Sequence, residues 1–275
     1  MNIWIIGDLH QDYRPVDNFY QSHLKGSAQE HEENWLICLG DFGANYAFNH
    51  FDQHFKCKLS SYPIKYFVIR GNHEERASNC ARRNPGSWEE VECFGNICLR
   101  EKAFPNIYYA LDGGGIYDIA GRKTLVIPGA YSVDKWYRLQ TGRKWFQDEQ
   151  LTQEEMDKLY ELSQGQFFNL ILSHTCAYSY QPTDLFLRGL DQSTVDNTME
   201  IWMDKLCQLK HNMTWGVWCF AHYHQDRIEA PYVEMFFHEA ERLEDVEARW
   251  MKYDETGKLD WWIPTSPSME RGIYD

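Results

Sequence analysis

Carboxylates and imidazoles recur along this chain in similar settings: Asp8 with His10, Asp41, Asn72 with His73, His174, and His222 with His224. Each group follows an apolar run. Ile3-Trp4-Ile5-Ile6 leads into Gly7-Asp8-Leu9-His10, and residues 35–39 lead into Gly40-Asp41-Phe42-Gly43. Residues 66–69 end in Arg70-Gly71-Asn72-His73-Glu74, residues 167–172 in Ser173-His174, and residues 215–220 in Ala221-His222-Tyr223-His224. Singly, each turn reads as a polar loop; as a set they read as a site. Oxygen and imidazole donors without thiolates form a borderline-hard ligand set suited to Mn, Fe or Zn. At a strand end, residues i and i+2 point to the same side, which suits both Asp8/His10 and His222/His224. Two cations ~3.5–4 Å apart can clamp the attacking and leaving oxygens of a phosphoester.

The elements that must position these groups are legible as short β-branched and aromatic runs, which predict buried strands. Between the first strands lie helical spacings, Val16, Phe19, Tyr20 and Leu24 behind Pro15, and a weaker pattern over 47–58. A β-α-β-α-β series of this kind places ligands beyond the carboxyl ends of its strands. Residues 76–110 read as a loop-rich excursion, 116–120 and 124–128 as a hairpin around Gly121-Arg122, and 129–147 as irregular and aromatic. Thr152 and Glu155 predict a capping box, with Leu151 and Met156 as a hydrophobic staple. Met199, Trp202, Met203, Leu206 and Leu209 predict an amphipathic helix, with Asp191 and Asp196 near its start. Residues 231–262 read as further strand and turn, and the tail beyond Pro264 as loosely held. With no repeat or linker, the 275 residues are expected to form a single domain.

Composition narrows the function. A formal charge of −14 argues against an extended nucleic-acid partner, which would draw on clustered Lys and Arg. It leaves room for a small phosphoester, because bound metals reverse the local field. The eight cysteines include no CxxC pair, and several sit in apolar runs, as Cys38 and Cys219 do; this predicts free thiols in a reducing, cytoplasmic setting. No secretory signal and no apolar stretch of ~20 residues is present, so no membrane span is expected. Oligomeric state is left open.

In this order the turns resemble the motifs of the calcineurin-like metallophosphoesterases: DxH, GD, GNH(D/E), a lone H and GHxH, over residues 1 to about 230. The resemblance implies an α/β (α+β) fold, a four-layer αββα sandwich of two mixed sheets flanked by helices. It implies two divalent or transition metal ions, with Mn favoured over Fe or Zn. Asp8, His10 and His224 would bind one, Asn72, His174 and His222 the other, and Asp41 would bridge. His73 would face the substrate, as proton donor or electrostatic stabiliser. Ala221 replaces the Gly of GHxH, and Ala44 stands where the protein Ser/Thr phosphatases carry an Asp paired with the catalytic His. Arg70, before Gly-Asn-His-Glu, matches that same branch, in which it contacts phosphate, so Arg70 is a substrate-binding candidate and the subfamily is unassigned. The implied activity is hydrolysis of a phosphomonoester or phosphodiester by a metal-bridging hydroxide, with a small organic or nucleotide ester favoured. The alternatives are a protein Ser/Thr phosphatase and a catalytically silent binding module on the same fold.

Remaining candidates have plainer readings. Glu74 is expected to orient a neighbour. Residues 132–135 are expected to be a solvated loop, and Arg76, Arg82 and Arg83 either meet substrate or face solvent. His23, His31, His50, His54, His211 and His238 follow no strand tip and read as surface or satisfied histidines.

Overall fold

The computed structural model describes residues 1–186 and 192–259, so Asp191 and the tail beyond Pro264 lie outside the described residues. Four parallel strands form the centre of the first sheet: β1 (Asn2–Ile6), β2 (Asn34–Cys38), β3 (Lys65–Val68) and β6 (Ile107–Tyr109). The helices α1 (Arg14–Phe19) and α2 (His50–Leu59) supply the first crossovers. Pro15 occupies the first turn of α1, where its missing N–H is no loss. A π-helical turn, Tyr20–Leu24, continues it and buries Leu24.

Residues 76–110 are more ordered than their composition predicts. They form α3 (Ala77–Arg83) and an antiparallel hairpin, β4 (Trp88–Cys93) with β5 (Asn96–Glu101), which joins the sheet beside β6. The reason is register: Trp88 and Cys93 are buried at the ends of β4, while the Glu-rich residues between them run along a sheet edge. Charged side chains are a usual feature of edge strands.

The second sheet contains β7 (Gly115–Ile119), β8 (Arg122–Ile127), β9 (Phe167–Ser173), β10 (Thr214–Phe220), β11 (Arg227–Ala230) and β12 (Val233–Met235), in the order β11-β12-β10-β9-β8-β7. A short strand, β13 (Glu241–Arg242), completes the first sheet against β1. Between β8 and β9 lie α4 (Lys135–Thr141), inside the segment expected to be irregular, and α5 (Gln153–Ser163). Both halves of the capping box at Thr152 and Glu155 form, and Leu151 and Met156 are buried. Helix α6 (Thr198–Leu206) buries Met199, Trp202, Met203 and Leu206, but Leu209 lies beyond its end and is 90% exposed. The segment expected to be strand and turn ends instead in α7 (Leu243–Thr256), which buries Leu243, Val246 and Trp250 at helical spacing.

These sheets pack face to face, with helices on both outer surfaces: two mixed sheets in an αββα sandwich. Ile3, Ile5, Ile37 and Phe67 of the first sheet share one apolar cluster with Leu170, Leu172, Val217 and Cys219 of the second. A second cluster joins the other face of the first sheet to α1 and α2, through Val16, Phe19, Phe55 and Leu59. A third joins the second sheet to α5 and α6. All eight cysteines are free thiols, six of them buried. No described helix is long and apolar enough to cross a membrane.

Phe67 is fully buried and edge-packed on Tyr117 of the other sheet at 5.1 Å, so it holds the two layers together. Phe67→Ala is expected to lower unfolding free energy by about 3–5 kcal/mol, and Leu209→Ser to change it by less than about 0.5 kcal/mol. Urea titrations of both variants check this; equal effects would contradict the packing.

Candidate metal centre

The carboxyl ends of β1, β2, β3, β9 and β10 converge, and the two sheets meet there. Cross-links between tips hold the convergence: His10 N–H donates to Asp41 O (2.7 Å), Asp8 N–H to Gly40 O (3.2 Å) and Ala221 N–H to His174 O (2.9 Å). The His174 ring spans the sheets, with Nδ1 on Leu39 O at 2.7 Å and Nε2 facing Asn72 Oδ1 at 2.9 Å.

Asp8, His10, Asp41, His222 and His224 all have positive φ, between 45° and 75°. Non-glycine residues seldom adopt this conformation, and clusters of it mark sites where surrounding structure enforces it. Gly71 and Gly40 are required for a different reason. A Cβ on Gly71 would lie 2.0 Å from Asp41 Oδ1, and one on Gly40 would lie 2.0 Å from His174 Nδ1. Ala221 is accommodated because its Cβ faces the bare Cα of Gly7. Glu74 orients neighbours as expected: its carboxylate accepts N–H donors from Gly71 (3.0 Å), Gly43 (3.1 Å) and Phe42 (3.3 Å), clamping the tips of β2 and β3 together.

Asp8 and Asp41 are 0% and 1% exposed, and each has one oxygen in use. Asp8 Oδ2 accepts from His222 N–H (2.9 Å) and Asp41 Oδ1 from His73 N–H (2.8 Å). The other oxygens, Asp8 Oδ1 and Asp41 Oδ2, are buried with no hydrogen-bond partner among the described residues. Such an atom costs several kcal/mol unless something positive meets it. Donor atoms of Asp8, His10 and His224 lie within 4.8 Å of one another, as do those of Asp8, Asp41 and His174. The ring nitrogens His10 Nε2 and His224 Nε2 face each other at 2.9 Å. Asp41 reaches both groups: Oδ2 is 3.7 Å from His10 Nε2 and Oδ1 is 3.5 Å from His174 Nε2. Asp8, too, is common to both groups. The residues fit a pair of cations.

Proton affinities follow the same field. Burial pushes the Asp8 carboxyl up, helped by the Asp41 charge. Burial also acts on Asp41, but His73 and His174 outweigh it and hold that carboxyl well below its usual range. Burial would lower His174, yet Asp41 and Asp8 raise it to about 9, so an imidazolium supplies positive charge between the carboxylates. His10 is lowered to about 4 by burial, and His222 and His224 are lowered for the same reason. Neutral imidazoles are the form that binds metal.

These groups sit at one end of a cavity of about 470 Å³ lined by His10, Asp41, Asn72, His73, His222 and His224. Arg70 is not brought to it. Its guanidinium is 5% exposed and donates to Glu149 O (2.5 Å) and Gly71 O (3.2 Å), so it ties the β3 tip to the segment before α5. Residues 132–135, expected to be a solvated loop, do reach the site. Ser132 Oγ accepts from Asn72 Nδ2 at 2.8 Å, and Val133 and Asp134 line the cavity. Arg138, which the sequence did not single out, lines it as well, its Nε on both Asp134 oxygens at 2.8 and 2.7 Å. Asp134 acts on His73 from this side, while Ala44 is fully buried in the core. His238, read as a surface or satisfied histidine, donates from Nε2 to Asp8 O at 3.0 Å, and Phe237 stacks on His224. Arg76 pairs with Glu155 and does not face the cavity.

Fold and site together define a class of paired mixed sheets with carboxylates and imidazoles gathered at converging strand tips. The chain belongs to the calcineurin-like phosphoesterase family, whose model matches residues 1–226. No curated protein matches it in sequence. The solved structure of phosphopantetheinyl hydrolase (PptH) from Mycobacterium tuberculosis is 14% identical over 98% of each chain, with a TM-score of 0.40, a likeness too low to bear on activity.

Because a Cβ on Gly71 would strike the Asp41 carboxylate, Gly71→Ala is expected to weaken Mn²⁺ binding at least ~10-fold, the scale on which outer-shell changes act at metal sites. Gly86→Ala, at a position with nothing within 4 Å, is the control. Titration calorimetry reads the difference; unchanged affinity in Gly71→Ala would contradict the close approach.

Proposed function

We propose that this single domain is a dinuclear-metal phosphoesterase acting on a small organic or nucleotide ester. One observation carries the reading: two buried carboxylates with inward oxygens unpartnered among the described residues, ringed by imidazoles at the end of a cavity of substrate size. Asp8, His10 and His224 would hold one cation and Asn72, His174 and His222 the other, with Asp41 between them. When bound, such a pair lowers the pKa of a water and neutralises phosphoryl charge; Mn is the favoured metal, with Fe or Zn also suited to these donors.

The chain's own residues do the rest. His73 is half-buried on the cavity wall, its backbone fixed by the bond to Asp41 and its Nε2 3.8 Å from Asp41 Oδ2. There it gives a proton to the leaving oxygen. Burial lowers its proton affinity; Asp41 and Asp134 oppose that, and a bound phosphate anion adds to them. Arg138 takes the phosphate-contact role that sequence order suggested for Arg70, because its guanidinium lines the cavity while Asp134 and Tyr46 Oη (3.2 Å) hold it in place. Asn72 is oriented by Ser132, and Ser132 in turn by Glu149. The volume suits a small ester, and the charge of −14 gives an extended nucleic acid no basic track. The free thiols fit a reducing compartment such as the cytoplasm.

Mn-loaded protein is expected to hydrolyse aryl phosphomonoesters or diesters. His73→Ala should keep its metal while kcat falls ~10²–10⁴-fold. The loss should shrink as the leaving group becomes more acidic. An equal loss across leaving groups would remove the proton-donor role, and no turnover by protein carrying two metals would reject the enzyme reading.

A further inference from the structure

The same cavity holds a polar group for which the chemistry above has no use. Glu200, in the first turn of α6, lines the cavity yet is only 3% exposed. Its Oε1 accepts from Thr175 Oγ1 at 2.9 Å, and its Oε2 has no hydrogen-bond partner among the described residues. Thr175 Oγ1 also lies 3.2 Å from Tyr223 Oη. A hydroxyl has one proton; Thr175 gives it to the carboxylate, so Tyr223 donates to Thr175. Thr175 follows His174, and Tyr223 stands between His222 and His224. Glu200 is therefore wired through two hydrogen bonds to residues flanking the metal centre.

Folding does not call for this carboxylate. Its neighbours on α6, Met199, Trp202, Met203 and Leu206, are buried apolar side chains, and an aliphatic residue would complete their face. A carboxylate near a helix N-terminus is favourable, but an exposed one serves that purpose without desolvation. Leaving a buried oxygen unmet costs stability, and more when it is charged. No ion pair joins Glu200 to a cation among the described residues, and Arg138, on the cavity wall, pairs with Asp134. The surroundings do supply apolar surface, in Leu185, Phe186, Val195 and Tyr131, with the Phe186 ring stacked on Tyr223 at 6.3 Å and 18°.

We propose that Glu200 is the specificity group for the alcohol half of the phosphoester, receiving an N–H donor carried on an apolar arm that runs along Phe186 and Tyr223. This rests on the phosphoesterase reading of the same site. The substrate class is then a phosphoester of an amino- or amido-alcohol, cationic or neutral at its far end. A site built around a buried hydrogen-bonding group rejects analogues that lack the matching donor, because the group is then left unpaired.

Mn-loaded protein is assayed on matched series: alkyl phosphates of two to six carbons, their ω-amino and ω-acetamido counterparts, and benzyl against 4-(aminomethyl)benzyl phosphate. In wild type the best donor-bearing ester should exceed its plain counterpart at least ~10-fold in kcat/KM, and in Glu200→Leu that ratio should fall to about one or below. Preference for the amine alone assigns a cationic donor, and preference for both assigns any N–H. Metal-free protein gives an independent readout: 6-amino-1-hexanol should raise the Tm of wild type more than 1-hexanol does, and Glu200→Leu should abolish the difference. Ready turnover of plain esters with ratios near one throughout would overturn the Glu200 proposal and leave the phosphoesterase standing. If no ester is turned over by protein holding two metals, the phosphoesterase reading fails instead, and equal Tm shifts by the two alcohols would then overturn the Glu200 role as well.

Discussion

The structure depends on one electrostatic constraint: Asp8 and Asp41 are buried together, each with an oxygen that has no hydrogen-bond partner among the described residues. Like charges brought this close out of water disfavour the folded state unless positive charge joins them. His174, raised to about 9, provides one such charge by holding a proton between them. A cation that displaces this proton provides more, and the lowered affinities of His10, His222 and His224 keep those nitrogens free to bind. The same pressure that penalises the two buried carboxylates thus favours metal.

Much of the nearby backbone serves to impose this arrangement. Positive φ at five of the proposed ligands costs of order 1–3 kcal/mol each and persists only where neighbours enforce it. Here the enforcement comes from hydrogen bonds between tips, from glycines that let Asp41 and His174 approach backbone, and from Glu74 gathering three N–H donors. The interlocked apolar layer beneath, with Phe67 against Tyr117, gives the tips a rigid base. Strain at the strand tips is tolerated because a buried apolar cluster shared by both sheets lies below them.

The parallel strands and their tips were legible because a fully buried strand leaves an unbroken apolar run, and because polar residues just past it have no structural excuse. The αββα layering came from the family resemblance, with which those strands agreed. Elements at the edge were harder. The β4–β5 hairpin carries Glu and Arg where a central strand would carry Val, and α7 hides Leu243, Val246 and Trp250 among acidic and basic neighbours. Leu209 continued the spacing of α6 past the residue where the helix ends. At the site, sequence order misled in one respect. Arg70 adjoins the Gly71-Asn72-His73 turn in the chain but turns into the protein, whereas Arg138, far along the chain, lines the cavity. Glu200 gave no sequence signal, since an acidic residue in a first helical turn is ordinary.

Anomalous diffraction at the manganese edge, from crystals of the Mn-loaded protein, tests the central claim most directly. The account predicts two peaks of similar height, one against Asp8, His10 and His224 and one against Asn72, His174 and His222, both touching the Asp41 carboxylate. A single peak without contact to Asp41, or loaded protein with no peak among these residues, would contradict it.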